Sequence, residues 1–502
     1  QEGELGIAHT RWATHGEASD TNSHPHRVGE VTIVHNGIIE NYMELKKLLQ
    51  KEGYEFQTET DTEVACAVLD YLKKKGIWSN LEVIKEFSNY VKGSYALGII
   101  FDDELDTLYA TRQDSPLIIG IGKDENLIAS DIAAIIKFTK NYVLLDSGDV
   151  VKLTKEKIEF YDKELKSVCK EQLVVNWNVE QAEKNGYEHF MLKEIHEEAD
   201  VLRDTINEYI DDVNSFVERM PDLDKYNKIH IVACGSAMYA GMIGKTLLEE
   251  NAGIRVTCDV ASEYRYKRVI YDRKTLVILI SQSGETADTI AAMRKAKMAG
   301  IETLAIVNVG GSTIARESGS QIFIEAGPEI AVATTKAYML QVAILSLLAY
   351  KAALSKGYKN DGVMNEVKMI PRMVREILDR RDDYKEIANE IYKSSSVFFI
   401  GRKVDYAVSM EGSLKLKEVS YIHSEAYQAG ELKHGTISLI NDGTPVIAIV
   451  TDPDIKEKTN EEKYTEEEIE SKTTIRSDLP EELKIKFEEL KKEIKKRHID
   501  QN

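Results

Sequence analysis

The stretch Ser281-Gln-Ser-Gly-Glu-Thr-Ala-Asp288 follows an aliphatic run, Leu276 to Ile280, and precedes a helical pattern, Ala287 to Ala299. A strand that delivers hydroxyls and a glycine to a helix amino terminus gathers N–H groups, side-chain donors and the positive end of the helix dipole at one point, an arrangement that holds a phosphate. The stretch lacks the Gly-Lys-Ser/Thr of a nucleotide P-loop and the spaced glycines of a dinucleotide site, so a monophosphate such as a sugar phosphate fits it better. The competing reading is that Ser281, Ser283 and Thr286 only cap the helix. Two further loops bear on the choice. Cys234-Gly-Ser236 follows a strand and precedes a helix, Val332-Ala-Thr-Thr-Lys336 starts another helix, and loops at the carboxyl ends of neighbouring parallel strands converge on one crevice.

Acid–base groups stand further along. Lys415-Leu-Lys-Glu418 and Glu431-Leu-Lys-His434-Gly435 combine a carboxylate beside lysines, suited to a general base, with a histidine able to move a proton near neutral pH. That pairing suits enolisation of a carbonyl sugar. Alternatively, Lys415 and Glu418 form a helix-surface ion pair and His434 is a loop histidine. At the amino end, Arg11 and Asp61 offer a cation and an anion for the two charged ends of an amino acid, and Asn36-Gly37 offers an amide and an N–H to an oxyanion. Asn-Gly is equally the sequence of a tight hairpin turn. Five of the eleven histidines, His9, His15, His24, His26 and His35, fall within the first 35 residues. Their spacing matches no common zinc pattern, and no metal site is expected.

Positioning these residues requires particular elements. From Gly6 to about Tyr161, short runs at Val31 to Val34, Ser94 to Phe101, Leu117 to Ile121, Leu127 to Ala129 and Val143 to Leu153 predict antiparallel strands, with helices at Asn41 to Glu52 and Thr62 to Lys75: an α+β domain over residues 1–170. Residues 171–222 read as a helical linker. From Lys228 the pattern changes to continuous aliphatic runs, Ile229 to Ala233, Leu276 to Ile280, Leu304 to Val307 and Ile322 to Ile324, alternating with helices, which predicts a parallel α/β sheet over 223–360. A fainter copy, 388–455, repeats it. Val397-Phe-Phe-Ile-Gly-Arg402 echoes Ile229 to Gly235, Ser424-Glu425 echoes Ser262-Glu263, and the Thr444-led run echoes Thr275 to Ile280. The second sheet is expected to be incomplete.

Composition narrows the classes. With 65 Lys plus Arg against 85 Asp plus Glu, the formal charge of −20 repels polyanions, so no nucleic-acid partner is expected. Apolar stretches near Met339 and Val397 read as interrupted or too short to span a bilayer, and no membrane partner is expected. Four dispersed cysteines without a CxxC pair suit a reducing cytoplasm. In the tail, 26 of the 47 residues from Lys456 to Asn502 are charged, and the stripe Leu483, Phe487, Leu490 and Ile494 predicts a helix that either engages a partner or covers the unfinished sheet.

Together these residues resemble the glucosamine-6-phosphate synthase family. His9-Thr-Arg-Trp-Ala-Thr-His-Gly16, His35-Asn-Gly37, Thr58-Glu-Thr-Asp61, Ser281-Gln-Ser-Gly-Glu-Thr286 and Glu431-Leu-Lys-His-Gly435 are similar to its motifs, in its order. The resemblance implies an Ntn-type, class-II glutamine amidotransferase domain with antiparallel sheets, followed by two sugar-isomerase (SIS) domains, in a cytoplasmic homodimer that converts glutamine and fructose 6-phosphate into glucosamine 6-phosphate and glutamate without a cofactor. It implies that Arg11, Thr14, His15, Gly37 and Asp61 hold glutamine, that Asn36 and Gly37 form the oxyanion hole, and that Trp12 gates an ammonia channel. Ser236, Ser281, Gln282, Ser283 and Thr286 would hold the sugar phosphate, with Val332 and Thr334 along the sugar. Glu418 would be the isomerisation base, Lys415 its neighbour, and His434 the ring-opening group, supplied by the other subunit.

Departures from the family pattern set further expectations. The family uses an amino-terminal cysteine nucleophile, whereas this sequence opens at Gln1, so glutamine hydrolysis by that mechanism is not expected of the chain as it stands. The family's carboxyl-terminal Schiff-base lysine has no counterpart in the pattern after Asp454, and Ala237 follows Ser236 where a second hydroxyl is usual. A rival reading is a non-catalytic sugar-phosphate sensor acting through its tail; another is a metal-dependent hydrolase built on the amino-terminal histidines.

Overall fold

A computed structural model describes residues 4–11, 15–76, 78–175, 183–210, 220–357, 363–441 and 443–452. The chain forms two compact units, Gln1–Glu183 and Lys184–Asn502.

In the first unit, a six-stranded sheet runs in the order His26–Val28, Val31–Ile39, Gly93–Phe101, Leu108–Gln113, Val150–Leu153 and Ile158–Tyr161, every pair antiparallel. A second antiparallel sheet orders Leu173–Val174, Asn141–Leu144, Ile118–Ile121 and Asn126–Ala129. Side chains alternate across a strand, so Tyr95, Leu97, Ile99 and Phe101 face the helices Tyr42–Lys51, Asp61–Lys75 and Asn80–Tyr90, while Ala96 joins Leu117, Ile119 and Val143 between the sheets. The helix Asp61–Lys75 starts where the Thr60 side chain accepts from Glu63 N, with Asp61 and Glu63 in the first turn and three lysines in the last, all favourable to the helix dipole.

The run from Val143 to Leu153 is two strands, not one. Asp149 N donates to Asp146 O at 3.1 Å and Asp146 N to Asp149 Oδ2 at 2.7 Å, a tight turn that sends the chain from one sheet to the other. Within the expected linker, Leu173–Val174 is an edge strand and Phe190–Tyr209 is a helix. Its buried Ala199, Leu202 and Ile206 pack into the core of the second unit.

That unit contains a parallel five-stranded sheet ordered Arg255–Val260, Lys228–Ala233, Thr275–Ser281, Glu302–Val307 and Ser320–Phe323. The helix Lys336–Ser355 has the length and mean hydropathy, 1.5, of a membrane span, contrary to the sequence reading, but about two thirds of it is buried inside the unit as a core helix. A second parallel sheet, His423–Gln428, Ser396–Gly401 and Val446–Ala448, repeats the first three strands in the same spatial order. It has three strands among the described residues. Lys228 corresponds to Ser396 and Arg255 to His423, both 168 residues apart. The Ser262-Glu263 and Ser424-Glu425 echo is therefore not a structural equivalence: the first pair lies on the short helix Ala261–Tyr264, the second within a strand. The tail stripe Leu483 to Ile494 lies outside the described residues.

The same 168-residue spacing places Lys403 where the first copy has Gly235. Gly235 has φ +55°, and Lys403 is held at φ +48°, ψ −121°, a conformation costly for a side chain. K403G is expected to stabilise the second unit by about 1 kcal/mol, since the strain released exceeds the entropy that glycine adds to the unfolded chain. Urea unfolding followed by far-UV circular dichroism checks this; a lowered midpoint would show that the exposed ion pairs of Lys403 outweigh the strain.

Candidate functional site

The fully buried strand Thr275–Ser281 ends in the loop that precedes the helix Ala287–Met298. Ser281 Oγ accepts from Gly284 N at 3.0 Å and lies 2.9 Å from Thr286 Oγ1, while Ser283 Oγ accepts from Glu285 N at 3.2 Å. Thr286 is at the N-cap, yet its side chain makes no capping bond, so capping does not account for these hydroxyls. Gly284 is required at φ +65°, where a Cβ would sit 2.0 Å from Ser312 Oγ. The loop's own carboxylate is occupied elsewhere: Glu285 accepts from Thr313 N at 2.7 Å and Thr313 Oγ1 at 3.0 Å.

Ser236, Ser281, Gln282, Ser283, Thr286 and Thr334 line one cavity of about 180 Å³. Three loops that are distant in sequence thus meet, with the first turns of two helices, Gly235–Ala252 and Ala287–Met298, at its edge. Hydroxyls, N–H groups and helix dipoles without a lysine or arginine in the lining suit a small anion held by hydrogen bonds. Val332 is not part of the lining and is 77% exposed. A larger groove, about 600 Å³ around Tyr54, Asp70 and Lys74 in the first unit, borders none of the residues singled out from the sequence.

The acid–base residues occupy one face of the helix Val404–Ser420, which packs on Gly235–Ala252. Lys415 pairs with Glu418 and lies 3.6 Å from Glu411, one turn earlier. Glu411, 6% exposed, is hydrogen-bonded by the Ser236 side chain. Burial lifts its carboxyl above the usual range, against the opposing pull of Lys415 and Ser236. Glu418, Lys415, Glu411 and Ser236 thus form a continuous polar row that ends in the cavity. Sequence reading missed Glu411, although its position four residues before Lys415 and seven before Glu418 puts it on the same helical face. His434 is exposed, its backbone N donating to Glu431 O at 2.9 Å, and its ring does not border the cavity.

In the first unit, Asn36-Gly37 is no hairpin turn. It lies inside the strand Val31–Ile39, opposite Ala96 and Tyr95. Gly37 has φ +135°, and a Cβ there would come within 2.1 Å of Ser94 O, so the strand approaches its neighbour as only glycine allows. Asp61, 3% exposed, accepts from Ile39 N at 2.8 Å, and its other oxygen is 3.9 Å from His15 Nδ1. A carboxylate and an imidazole are thereby tied to the end of the Asn36-Gly37 strand. Arg11, at φ +53°, gives its guanidinium to the carbonyls of His15, Gly16 and Glu17 at 2.7–3.0 Å and so shapes that segment. Trp12 and Thr14 lie outside the described residues.

The histidines around this site pack on one another. The His9 and His24 rings stack at 4.6 Å, His24 and His26 meet at 5.1 Å, and His35 Nδ1 lies 3.0 Å from Thr62 Oγ1. Among the described residues no three His, Cys, Asp or Glu side chains are placed to hold a metal ion. Burial, with neighbouring cationic groups, pushes His24 down to about 3; burial pushes His35 down to about 4, and it lowers His9 and His26 as well.

Known proteins match both units. A glutamine amidotransferase domain model matches residues 9–137, and a SIS domain model matches residues 222–351 and 390–467. The glutamine–fructose-6-phosphate aminotransferase (isomerizing) of Caldanaerobacter subterraneus subsp. tengcongensis is 50% identical over 471 residues, covering 91% of this chain and 76% of that protein. The enzyme of the same name from Thermus thermophilus is 42% identical over 466 residues, with the same coverage, 91% and 76%. Among solved structures, the C-terminal domain of glucosamine-fructose-6-phosphate aminotransferase from Francisella tularensis superposes with a TM-score of 0.54 at 35% identity, over 58% of this chain and 83% of that one. With an amidotransferase match on the antiparallel unit, SIS matches on the parallel one, and half of the aligned residues shared along nearly the whole chain, the protein belongs to the isomerizing glutamine–fructose-6-phosphate aminotransferase family.

Proposed function

We propose that the chain carries the aminotransferase reaction of its family: nitrogen from glutamine passes to fructose 6-phosphate, which is isomerised, giving glucosamine 6-phosphate and glutamate. The observation that carries this reading is the polar row from Glu418 through Lys415 and Glu411 to Ser236, which joins acid–base groups to a cavity built for one phosphate.

In this reading Ser236, Ser281, Gln282, Ser283 and Thr286 hold the sugar phosphate, and Thr334 and Val332 flank the sugar. Phosphate binding at the helix ends fixes the sugar chain, so that its reacting carbons stand at the acid–base row. Glu418 removes a proton from the carbon beside the C2 centre and returns one to C2, turning the ketose skeleton into the aldose, while the Lys415 ammonium stabilises the oxyanion that develops. His434 opens the sugar ring and works across a homodimer in the cytoplasm; its exposure in this chain agrees with a role toward another subunit. In the first unit, Arg11, Thr14, His15, Gly37 and Asp61 hold glutamine, Asn36 and Gly37 stabilise the oxyanion, and Trp12 gates ammonia transfer.

Calorimetric titration with fructose 6-phosphate tests the core of this reading. The folded chain is expected to release heat on saturable binding, and S283A is expected to weaken it about tenfold or more, as loss of a hydrogen bond to a charged group does. No saturable heat on folded protein would sink the proposal.

A further inference from the structure

The cavity has a polarity pattern that reaches beyond the phosphate loop. Its Ser281 to Thr286 side presents hydroxyl and N–H donors, as an anion requires. The opposite side is built differently. Thr334 Oγ1 donates its proton to Glu329 Oε2 at 2.5 Å. Glu329 Oε1 accepts from Thr335 N at 2.9 Å and Ala337 N at 3.2 Å, so this one carboxylate fastens the loop to the first turn of the helix Lys336–Ser355. Glu194 secures the loop from the other side: 2% exposed on the helix Phe190–Tyr209, it accepts from Ile330 N at 2.6 Å and Ala331 N at 3.0 Å. A hydroxyl has one proton. With that proton given to Glu329, Thr334 can offer the cavity only lone pairs.

Gln341 adds an independent observation. It lines the same cavity, is 2% exposed, and its Oε1 has no hydrogen-bond partner among the described residues. A buried amide oxygen without a partner costs about 1–3 kcal/mol unless a ligand supplies a donor.

We propose that Thr334 and Gln341 form an acceptor wall that selects sugar hydroxyls, with Glu329 as the positioning residue that sets the polarity of Thr334. This rests on the sugar-phosphate reading and adds to it a source of discrimination: the donor side binds any small phosphate, and the acceptor side distinguishes a polyol phosphate from a bare one. Glu329 itself touches no substrate. Its replacement by glutamine puts an N–H₂ group against Thr334 and frees the Thr334 proton to point into the cavity, reversing the wall there and leaving a sugar hydroxyl proton without its acceptor.

The test compares fructose 6-phosphate, by calorimetry, with inorganic phosphate, by ³¹P line broadening, on the full chain and on E329Q, T334V and Q341L. Each substitution is expected to weaken fructose 6-phosphate about tenfold, the loss of one hydrogen bond to a buried acceptor, and to leave inorganic phosphate within about twofold. T334S is expected to restore the sugar phosphate affinity. Nearly isosteric T334V keeps the test valid if E329Q does not fold. Unchanged fructose 6-phosphate affinity in T334V and Q341L overturns the acceptor wall, and so does parallel loss of inorganic phosphate, the mark of a merely structural role. An unsubstituted chain that binds inorganic phosphate but not fructose 6-phosphate defeats the sugar-phosphate reading itself, and this inference with it.

Discussion

E418Q is expected to lower the rate of fructose 6-phosphate isomerisation about 10³-fold while leaving the affinity for fructose 6-phosphate unchanged. Removal of a general base typically costs 10²–10⁴-fold. The glutamine amide keeps the size of the carboxylate and can still accept from Lys415, but it cannot take a proton from carbon. Affinity is expected to persist because the phosphate is held by Ser281 to Thr286, on a different strand and helix from Glu418. The rate is read as solvent deuterium entering the sugar at C1 and C2 by NMR, and the affinity by calorimetry. A variant that exchanges within threefold of the unsubstituted chain would remove Glu418 from the role of base. Equal loss of exchange and binding would instead mean that the Lys415–Glu418 pair holds the helix in place.

The two halves of the candidate site were not equally legible in the sequence. The phosphate loop was, because its parts are contiguous: a buried strand, hydroxyls with a glycine and a helix start need only local spacing to be read. Glu411 was not, because its partner Ser236 lies in the other copy of the repeat and the two meet only when Val404–Ser420 packs on Gly235–Ala252. Glu329 was passed over for a related reason: a carboxylate before a helix reads as a cap, and its hold on Thr334 depends on how the loop folds back.

The same division between local and distant causes runs through the fold. Asn36-Gly37 carries a strong turn signal, and only the close approach of Ser94 O shows why a glycine stands in mid-strand there. The run Val143 to Leu153 is β-prone throughout, and the chain changes sheets at Asp146 to Asp149 because the two halves find different neighbours. By contrast, the helix Asn80–Tyr90 carried a readable signal that was overlooked: Ser79 and Glu82 form a full capping box.

The second large effect is acid sensitivity of the first unit. His9, His24, His26 and His35 are all held below the ordinary imidazole value by burial. In the unfolded chain they regain values near 6.5, so below that pH the unfolded state binds protons that the folded state refuses. Stability is therefore fully present above pH 6.5 and is lost as the pH falls toward 4, by up to about 1.4 kcal/mol per pH unit for each histidine. For His35, 3% exposed and pushed down to about 4, the whole loss is about 3 kcal/mol. That is a large part of the 5–15 kcal/mol that stabilises a typical domain. All three tryptophans, Trp12, Trp78 and Trp177, belong to this unit, so tryptophan fluorescence reports its unfolding and not that of the second unit. The urea midpoint is expected to fall steeply between pH 6.5 and 5, before most carboxylates titrate, and H35Q is expected to make the fall shallower by about one proton. A midpoint that stays flat across that window would mean that the imidazoles of the folded unit take up protons as freely as those of the unfolded chain.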